Sequence, residues 1–196
     1  MQYLFEAWCR DPRPLVFGEF LDELYTSWEN WLPASAIGQE LAALYRECHR
    51  RIRADERFAL CHTSINDPHQ QNERDAAQMP KPVVSMLSQI IRNVLKERCP
   101  NDGFVAYLGG SQFIFLFSVS QVPGACSEIL DRFDLEVAQE HGTRPRTLKI
   151  GVVTNEQRHF LHFAQIMELV VEMSRYGERT AGSVFIVDRR TEPEIG

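Results

Sequence analysis

The sequence predicts an α+β domain built on a ferredoxin-like, palm-type antiparallel sheet, and three observations carry this prediction. Two apolar runs within residues 104–118 are joined by Gly109-Gly110-Ser111-Gln112, which is typical of a β-hairpin with a glycine turn. Segments with strand and helix periodicity follow one another as β-α-β-β-α-β, with one further helix and a final strand. Both sides of the run 113–117 are apolar, which indicates a strand covered on both faces.

The domain is expected to span residues 31–190, between a helical extension of residues 1–30 and a short tail of residues 191–196. Aromatic and leucine side chains recur in the extension at three- and four-residue steps, which predicts an amphipathic helix with acidic residues on the opposite face. These positions are Phe17, Phe20, Leu24, Trp28 and Trp31, and we call them the aromatic stripe.

A second helix is expected to follow directly, because Pro33 ends the first and Ser35 can cap the next. The side opposite its apolar face is basic. We interpret this basic cluster as a solvated face whose positive charges also interact favourably with the dipole at the helix C-terminus. The cluster consists of Arg46, Arg50, Arg51 and Arg53.

The remaining elements follow from the same two periodicities, with a polar loop over residues 66–81. We expect the helices to lie on one face of the antiparallel sheet. Strands are predicted over residues 58–65, 148–154 and 183–187, and helices over residues 82–98, 123–141 and 160–176.

Composition narrows the class of protein. In 196 residues, 44% are apolar and 24% are charged, which is ordinary for a globular domain. The net charge of −6 argues against nucleic acid or an anionic membrane as a partner. No apolar run approaches the roughly 18 residues of a transmembrane helix, and the N-terminus does not read as a secretory signal. Five cysteines without a CxxC spacing point to the reducing cytoplasm.

The order of elements and several short motifs resemble the GGDEF family of diguanylate cyclases over about residues 31–188. Trp31-Leu32-Pro33 is similar to the family's Gly-Leu-Pro-Asn-Arg opening, and residues 149–153, KIGVV, are similar to its Ser-Ile-Gly-Val strand. Tyr176-Gly177 falls where the last helix of the family ends, and Gly109-Gly110 opens the signature turn. The resemblance implies a palm-like domain that would make cyclic di-GMP from two GTP molecules with two Mg²⁺ ions.

This sequence departs from the family at the positions that the resemblance assigns to the metal ions. Ser64 stands in place of the first Asp of Asp-Ile-Asp, Ser111 in place of the acid after Gly-Gly, and Gln112 in place of the following Glu. Mg²⁺ prefers charged oxygen ligands, and catalysis of phosphoryl transfer is almost entirely positioning and electrostatics. The resemblance therefore implies that the metal site has lost most of its charge.

The positions that the resemblance assigns to phosphate and guanine have also changed. The phosphate-binding cations of the family are matched by His69, Ser174 and Glu178, the last of which reverses the charge. Of the two guanine-binding positions, Asn72 keeps the family's residue and Lys81 does not. The inhibitory Arg-x-x-Asp motif is also displaced, because Arg98 and Asp102 are four residues apart and offset by one.

We therefore predict a protein with no catalytic residues, no metal and no cofactor. Its role would be that of a regulatory or scaffolding protein that binds another protein in cyclic di-GMP-linked signalling, such as biofilm formation, motility or secretion. The alternative is a sensor that binds GTP or cyclic di-GMP without turnover, through Asn72 and the backbone of Gly109 and Gly110. A cyclase with a different metal set is the third interpretation.

Two further features leave alternatives open. If the aromatic stripe packs on its own domain it is core, and otherwise it is a docking surface for another protein or for a second copy of the chain. The dipeptides Cys48-His49 and Cys61-His62 could supply zinc ligands with His69, but buried cysteines beside surface histidines are the simpler interpretation.

Overall fold

The computed structural model describes residues 36–67, 79–138 and 145–191. None of the helices in these ranges combines the length and apolar character that a membrane crossing requires. A 3₁₀ turn at Val119–Gln121 precedes the third helix. In chain order the elements are α1 Ala36–Arg53, β1 Ala59–Asn66, α2 Lys81–Arg98, β2 Phe104–Gly109, β3 Gln112–Phe117, α3 Val122–Val137, β4 Thr147–Thr154, α4 Phe163–Gly177 and β5 Val184–Val187.

The five strands form one sheet in the order β2-β3-β1-β4-β5. The first four strands pair antiparallel, as predicted. β5 pairs parallel to β4, so the sheet is mixed and the expectation of a wholly antiparallel sheet is wrong at this edge. The reason is the connection: α4 carries the chain back across the sheet, and the next strand then runs in the same direction as β4.

Helices cover both faces of the sheet, so the prediction that they lie on one face is wrong. One apolar cluster places α2 and α3 against Phe113, Phe115 and Phe117. The other places α1 and α4 against Ile114 and Leu116. The pattern in β3 explains this arrangement, because a strand with apolar residues on both sides needs cover on both sides.

The predicted element boundaries agree with the structure to within three residues, except that α3 ends at Val137, four residues before the predicted end. In α2, Val83 is buried and Val84 lies only partly in the core. In α4, Met173 and Ser174 are buried, whereas Met167 lies only partly in the core. Each helix therefore turns one apolar face towards the sheet.

The backbone of α4 lies directly on β4 at Gly151. A Cβ atom built on Gly151 would stand 2.1 Å from the carbonyl oxygen of Val170 and 2.4 Å from the backbone nitrogen of Ser174. Only a residue without a side chain permits this approach. The glycine of the KIGVV motif therefore sets the position of α4 above β1 and β4.

Arg51 corrects the interpretation of the basic cluster as a solvated face, because it is 3% exposed. Its guanidinium pairs with Glu47 at 2.7 Å and with Asp102 Oδ1 at 2.6 Å. The other oxygen of Asp102 accepts a hydrogen bond from the backbone N–H of Ser118 at 2.5 Å. This ion pair ties α1 to the loop before β2, since a charge removed from water needs a fixed partner.

Candidate functional site

The end of β1, the tip of the β2–β3 hairpin and the end of α4 meet at one end of the sheet. Ser64 Oγ, on β1, donates a hydrogen bond to Glu178 Oε1, just after α4, at 3.2 Å. These are two of the positions that differ from the resembled family. The structure thus brings together residues that are 114 positions apart in the chain.

The hairpin tip is a glycine turn, as the sequence predicted. Gly109 and Gly110 have φ angles of 116° and 57°, in the left-handed region that favours glycine. Gly109 pairs with Gln112, and the hydroxyl of Tyr107 donates to the carbonyl of Gly110 at 3.1 Å. No described atom outside its chain neighbours lies within 4 Å of a Cβ built on Gly109, so the backbone at the tip is open to approach.

Ser111 turns inward from this tip and is 8% exposed. Its Oγ accepts a hydrogen bond from the backbone N–H of Ile65 at 3.4 Å. Thr63 Oγ1 donates to the carbonyl of Ser111 at 3.2 Å and accepts from the N–H of Phe113 at 2.9 Å. The serine that replaces the expected acid therefore joins the hairpin to β1, where β3 and β1 stop pairing.

His62 contacts two further positions that differ from the resembled family, Ser174 and Gln112, and this role was not predicted from the sequence. Its Nδ1 lies 2.8 Å from Ser174 Oγ, and its ring also contacts the side chain of Gln112. When Ser174 donates its hydroxyl to Val171 O at 2.9 Å, it accepts from His62 Nδ1. His62 is 2% exposed, so its interpretation as a surface histidine is wrong.

Burial lowers the pKa of His62 to about 4, with a smaller contribution from the positive charge of Arg175. The imidazole is therefore neutral at pH 7 and its two nitrogens serve as one donor and one acceptor. The adjacent Cys61 is also buried, and the dipeptide belongs to the packing of β1. The sequence feature that could have indicated the burial of His62 is Gly151, which pairs with His62 across the sheet and lets the backbone of α4 approach β4.

Lys149 places a buried cation beside these residues. It pairs with Ser64 across β1 and β4 and is 1% exposed. Its ammonium donates to the carbonyl of Thr180 at 2.7 Å and to the carbonyl of Gly182. Desolvation lowers the pKa of Lys149, against the opposing attraction of Asp134 and Glu178. The turn between α4 and β5 is thus held by a lysine from the sheet.

The described residues do not fit the Mg²⁺ ions that the resemblance implies. Of the five changed positions at this site, only Glu178 carries a carboxylate, and it accepts a hydrogen bond from Ser64. No group of three or more His, Cys, Asp or Glu residues that could hold a metal ion occurs in the described ranges. Hydroxyl and amide oxygens are weak substitutes for the carboxylates that a triphosphate-bound Mg²⁺ prefers.

Several predicted residues lie outside the described residues. They are Asn72 and His69 in the loop after β1, and Phe17, Phe20, Leu24, Trp28 and Trp31 of the aromatic stripe. Their roles remain predictions.

The two residues of the displaced inhibitory motif point to different partners. Arg98 Nε pairs with Glu128 of α3, and Asp102 pairs with Arg51 of α1. The first pair joins α2 to α3, and the second joins α1 to the loop before β2. The pair therefore does not form one anion-binding site in this arrangement.

Comparison with solved structures identifies the fold. The chain is similar to the coiled coil and GGDEF domain of DgcB from Caulobacter crescentus, with a TM-score of 0.60, 15% identity, and coverage of 87% of this chain and 93% of that one. It is also similar to the GGDEF domain of YfiN from Pseudomonas aeruginosa, with a TM-score of 0.58, 18% identity, and coverage of 76% and 93%.

A third similar structure is the diguanylate cyclase SiaD from Pseudomonas aeruginosa, in complex with its activator SiaC. The TM-score is 0.57 at 16% identity, with coverage of 94% of this chain and 76% of that one. No protein-family model matches the sequence, and no curated protein is significantly similar to it. At these identities the comparisons show the fold, and the fold is that of GGDEF domains.

Proposed function

We propose that this GGDEF-fold domain is catalytically inactive and acts as a regulatory or scaffolding protein in cyclic di-GMP-linked signalling. The observation that carries the proposal is the hydrogen bond between Ser64 and Glu178, at 3.2 Å. It joins a position that should carry a metal-binding acid to one that should carry a phosphate-binding cation. A hydroxyl brings no negative charge to a metal ion and a carboxylate repels phosphate, and here the two side chains hydrogen-bond to each other.

The other changed positions support the same conclusion. Ser111 holds Ile65, and Ser174 and Gln112 both contact His62. Transfer of a phosphoryl group requires charges aimed at the phosphate oxygens before the reaction begins. Here the polar groups are directed at one another, which favours a structural role for the site.

A protein partner is supported by what is bound to one similar structure. SiaD is in complex with its activator protein, SiaC. The aromatic stripe of residues 17–31 offers the kind of apolar surface that a protein partner covers. We therefore assign partner binding to the stripe, with another signalling or secretion component or a second copy of the chain as its occupant.

Incubation of the purified chain with GTP and Mg²⁺ tests the inactivity. We expect no cyclic di-GMP above a no-protein control, while an active cyclase assayed in parallel makes product. Cyclic di-GMP above the no-protein control would contradict the proposal, and its loss in a Glu178→Gln variant would assign the activity to this site.

A nucleotide sensor is the second candidate, and the open backbone at Gly109 favours it. Backbone N–H groups of a glycine turn can hold a phosphate without a metal. Calorimetry with GTP and with cyclic di-GMP separates the two functions. Micromolar binding that is lost in an Asn72→Ala variant would favour the sensor, whereas the absence of heat with either nucleotide would favour the scaffold.

Affinity capture from the native cell tests the role of the stripe. The full chain is compared with a chain that lacks residues 1–30, and with a full chain in which Trp28 and Trp31 are replaced by Ser. We expect partners to be captured by the unmodified chain alone. Equal capture by all three proteins would remove the stripe as the docking surface.

A further inference from the structure

A cleft of about 670 Å³ opens between the C-terminal half of α1 and the residues that lead into α4. It shares no residue with the site at the hairpin tip. Its lining includes three arginines and two histidines and contains no carboxylate, so we call it the basic cleft. The chain as a whole carries a net charge of −6, and this local excess of positive charge therefore favours a negatively charged ligand.

The α1 side of the basic cleft consists of two parallel strips. Tyr45-Arg46 and Ile52-Arg53 are apolar–basic pairs that stand seven residues apart, which is close to two helical turns. Tyr45 and Ile52 therefore lie one above the other, as do Arg46 and Arg53, with about 10 Å between the two members of each strip. Since successive residues of a helix point about 100° apart, an apolar strip runs beside a cationic one.

The apolar strip lies next to the start of α4. The ring centroid of Tyr45 is 5.3 Å from that of Phe163 and 4.4 Å from that of His49. Tyr45 and Ile52 are only partly buried. Leu161, just before α4, also lines the cleft and is 73% exposed. Apolar side chains of a ligand can cover this surface and remove it from water.

The cationic strip offers two guanidinium groups. Arg46 and Arg53 are exposed and form no ion pair with any residue that the structure describes. Arg50 lies between them and is held by Glu47 and Glu56, at 2.8 and 2.6 Å. A ligand that pairs with both exposed arginines must therefore carry two negative charges about 10 Å apart.

These features select the class of ligand. Sites for small molecules bury most of the ligand, whereas the basic cleft is open and leaves Leu161, Arg46 and Arg53 exposed. The net charge of −6 opposes nucleic acids and anionic membranes. An amphipathic helix matches, because its residues repeat the same spacing every seven positions and an acidic strip can adjoin an apolar one.

We propose that the basic cleft binds an acidic amphipathic segment of another protein. The carboxylates of this segment pair with Arg46 and Arg53, and its apolar side chains cover Tyr45, Ile52 and Leu161. The acids lie beside the apolar residues and not opposite them, because the two strips adjoin on α1.

The inference rests on the proposed function of binding another protein, and it adds a second contact surface within the domain itself. Exposed ion pairs are individually weak. The basic cleft therefore adds affinity and specificity for a partner that the aromatic stripe also binds.

Fluorescence anisotropy with a designed peptide tests the proposal on the full chain. The probe is a fluorescein-labelled helical peptide of about 16 residues, with two Leu-Glu pairs seven positions apart and Ala and Gln elsewhere. We expect the anisotropy to rise with protein concentration. Reversal of both Arg46 and Arg53 to Glu is expected to weaken binding about tenfold. A Leu161→Ser variant, changed at an exposed position, is expected to weaken it about threefold.

One control concerns the protein and one the peptide. Reversal of Arg179 and Arg189 to Glu changes the net charge equally at two exposed arginines outside the cleft, and should leave binding unchanged. A peptide of the same composition, with its Glu residues opposite the Leu residues, should bind the wild type about tenfold more weakly. No rise in anisotropy, equal binding by the two double reversals, or equal binding of the two peptides would overturn the proposal.

Sedimentation of the full chain without peptide tests a second copy as the occupant. A dimer that the Arg46→Glu and Arg53→Glu variant fails to form would assign the basic cleft to that copy and overturn the proposal. Failure of either measurement is distinguishable from failure of the proposed function. Neither contains nucleotide, and a negative result removes the cleft as a docking surface without bearing on catalysis or on the aromatic stripe.

Discussion

Replacement of Gly151 by Ala is expected to destabilise the fold strongly. The new methyl group would lie 2.1 Å from the carbonyl oxygen of Val170 and 2.4 Å from the nitrogen of Ser174. Both are backbone atoms of α4, so no side chain can rotate away. The helix would have to move by more than 1 Å to restore an ordinary contact distance of 3.4 Å. Overpacking in a core costs about 1–3 kcal/mol, and a clash with backbone belongs at or above the upper end.

The same change at Gly177 is the matched control. A Cβ atom there would meet the side chains of Ile186, Lys149 and Val184 at 3.5–3.7 Å, which is ordinary contact. Because alanine reduces the entropy of the unfolded chain, Gly177→Ala is expected to be neutral or stabilising by about 0.4–1 kcal/mol. Urea unfolding measures the free energy of unfolding of both variants and of the wild type. The reasoning is refuted if Gly151→Ala costs less than about 1 kcal/mol, or if the two substitutions have the same effect.

Three further predictions concern buried polar groups. The folded pKa of His62, about 4, lies below its unfolded value of about 6.5, so its contribution to stability is complete above pH 6.5 and about 3 kcal/mol is lost as the pH falls to 4. Urea unfolding at a series of pH values should show this loss in the wild type and not in a His62→Gln variant. The same pH dependence in both proteins would contradict the prediction. Arg51→Met should cost about 1–3 kcal/mol in thermal or urea unfolding, because Asp102 loses its charged partner but is 36% exposed and keeps the backbone N–H of Ser118. A cost near zero would show that this ion pair adds nothing to the stability. Burial raises the pKa of the Cys48 thiol to about 12, so a thiol reagent at pH 8 should modify it only after unfolding, whereas modification at the native rate of an exposed thiol would show that α1 opens.

Much of the fold could be predicted because it depends on local periodicity. The alternation in β3 predicted a strand covered on both sides, and the glycines at 109 and 110 predicted its turn. The direction of β5 and the two-sided arrangement of the helices could not be predicted in this way. They depend on which face each crossover follows, and this is decided by contacts between elements that are distant in the chain.

The candidate site was predictable only as a set of positions. Alignment to a resembled family indicated Ser64, Ser111, Gln112, Ser174 and Glu178 as changed, without indicating what each contacts. The structure shows that they hydrogen-bond to neighbours within the site, partly through His62, whose burial depends on the glycine opposite it. A residue type indicates how a position differs from the resembled family, but only the packing shows what that residue contacts.

The glycine hairpin was determined by the sequence itself, because turn geometry is a local property. The buried state of Arg51, His62 and Lys149 was decided by the tertiary structure. Each of these side chains is polar, and its sequence neighbours do not reveal whether a distant carboxylate, hydroxyl or carbonyl will compensate for its loss of water. That compensation exists only once β1, β4, α1 and α4 have assembled.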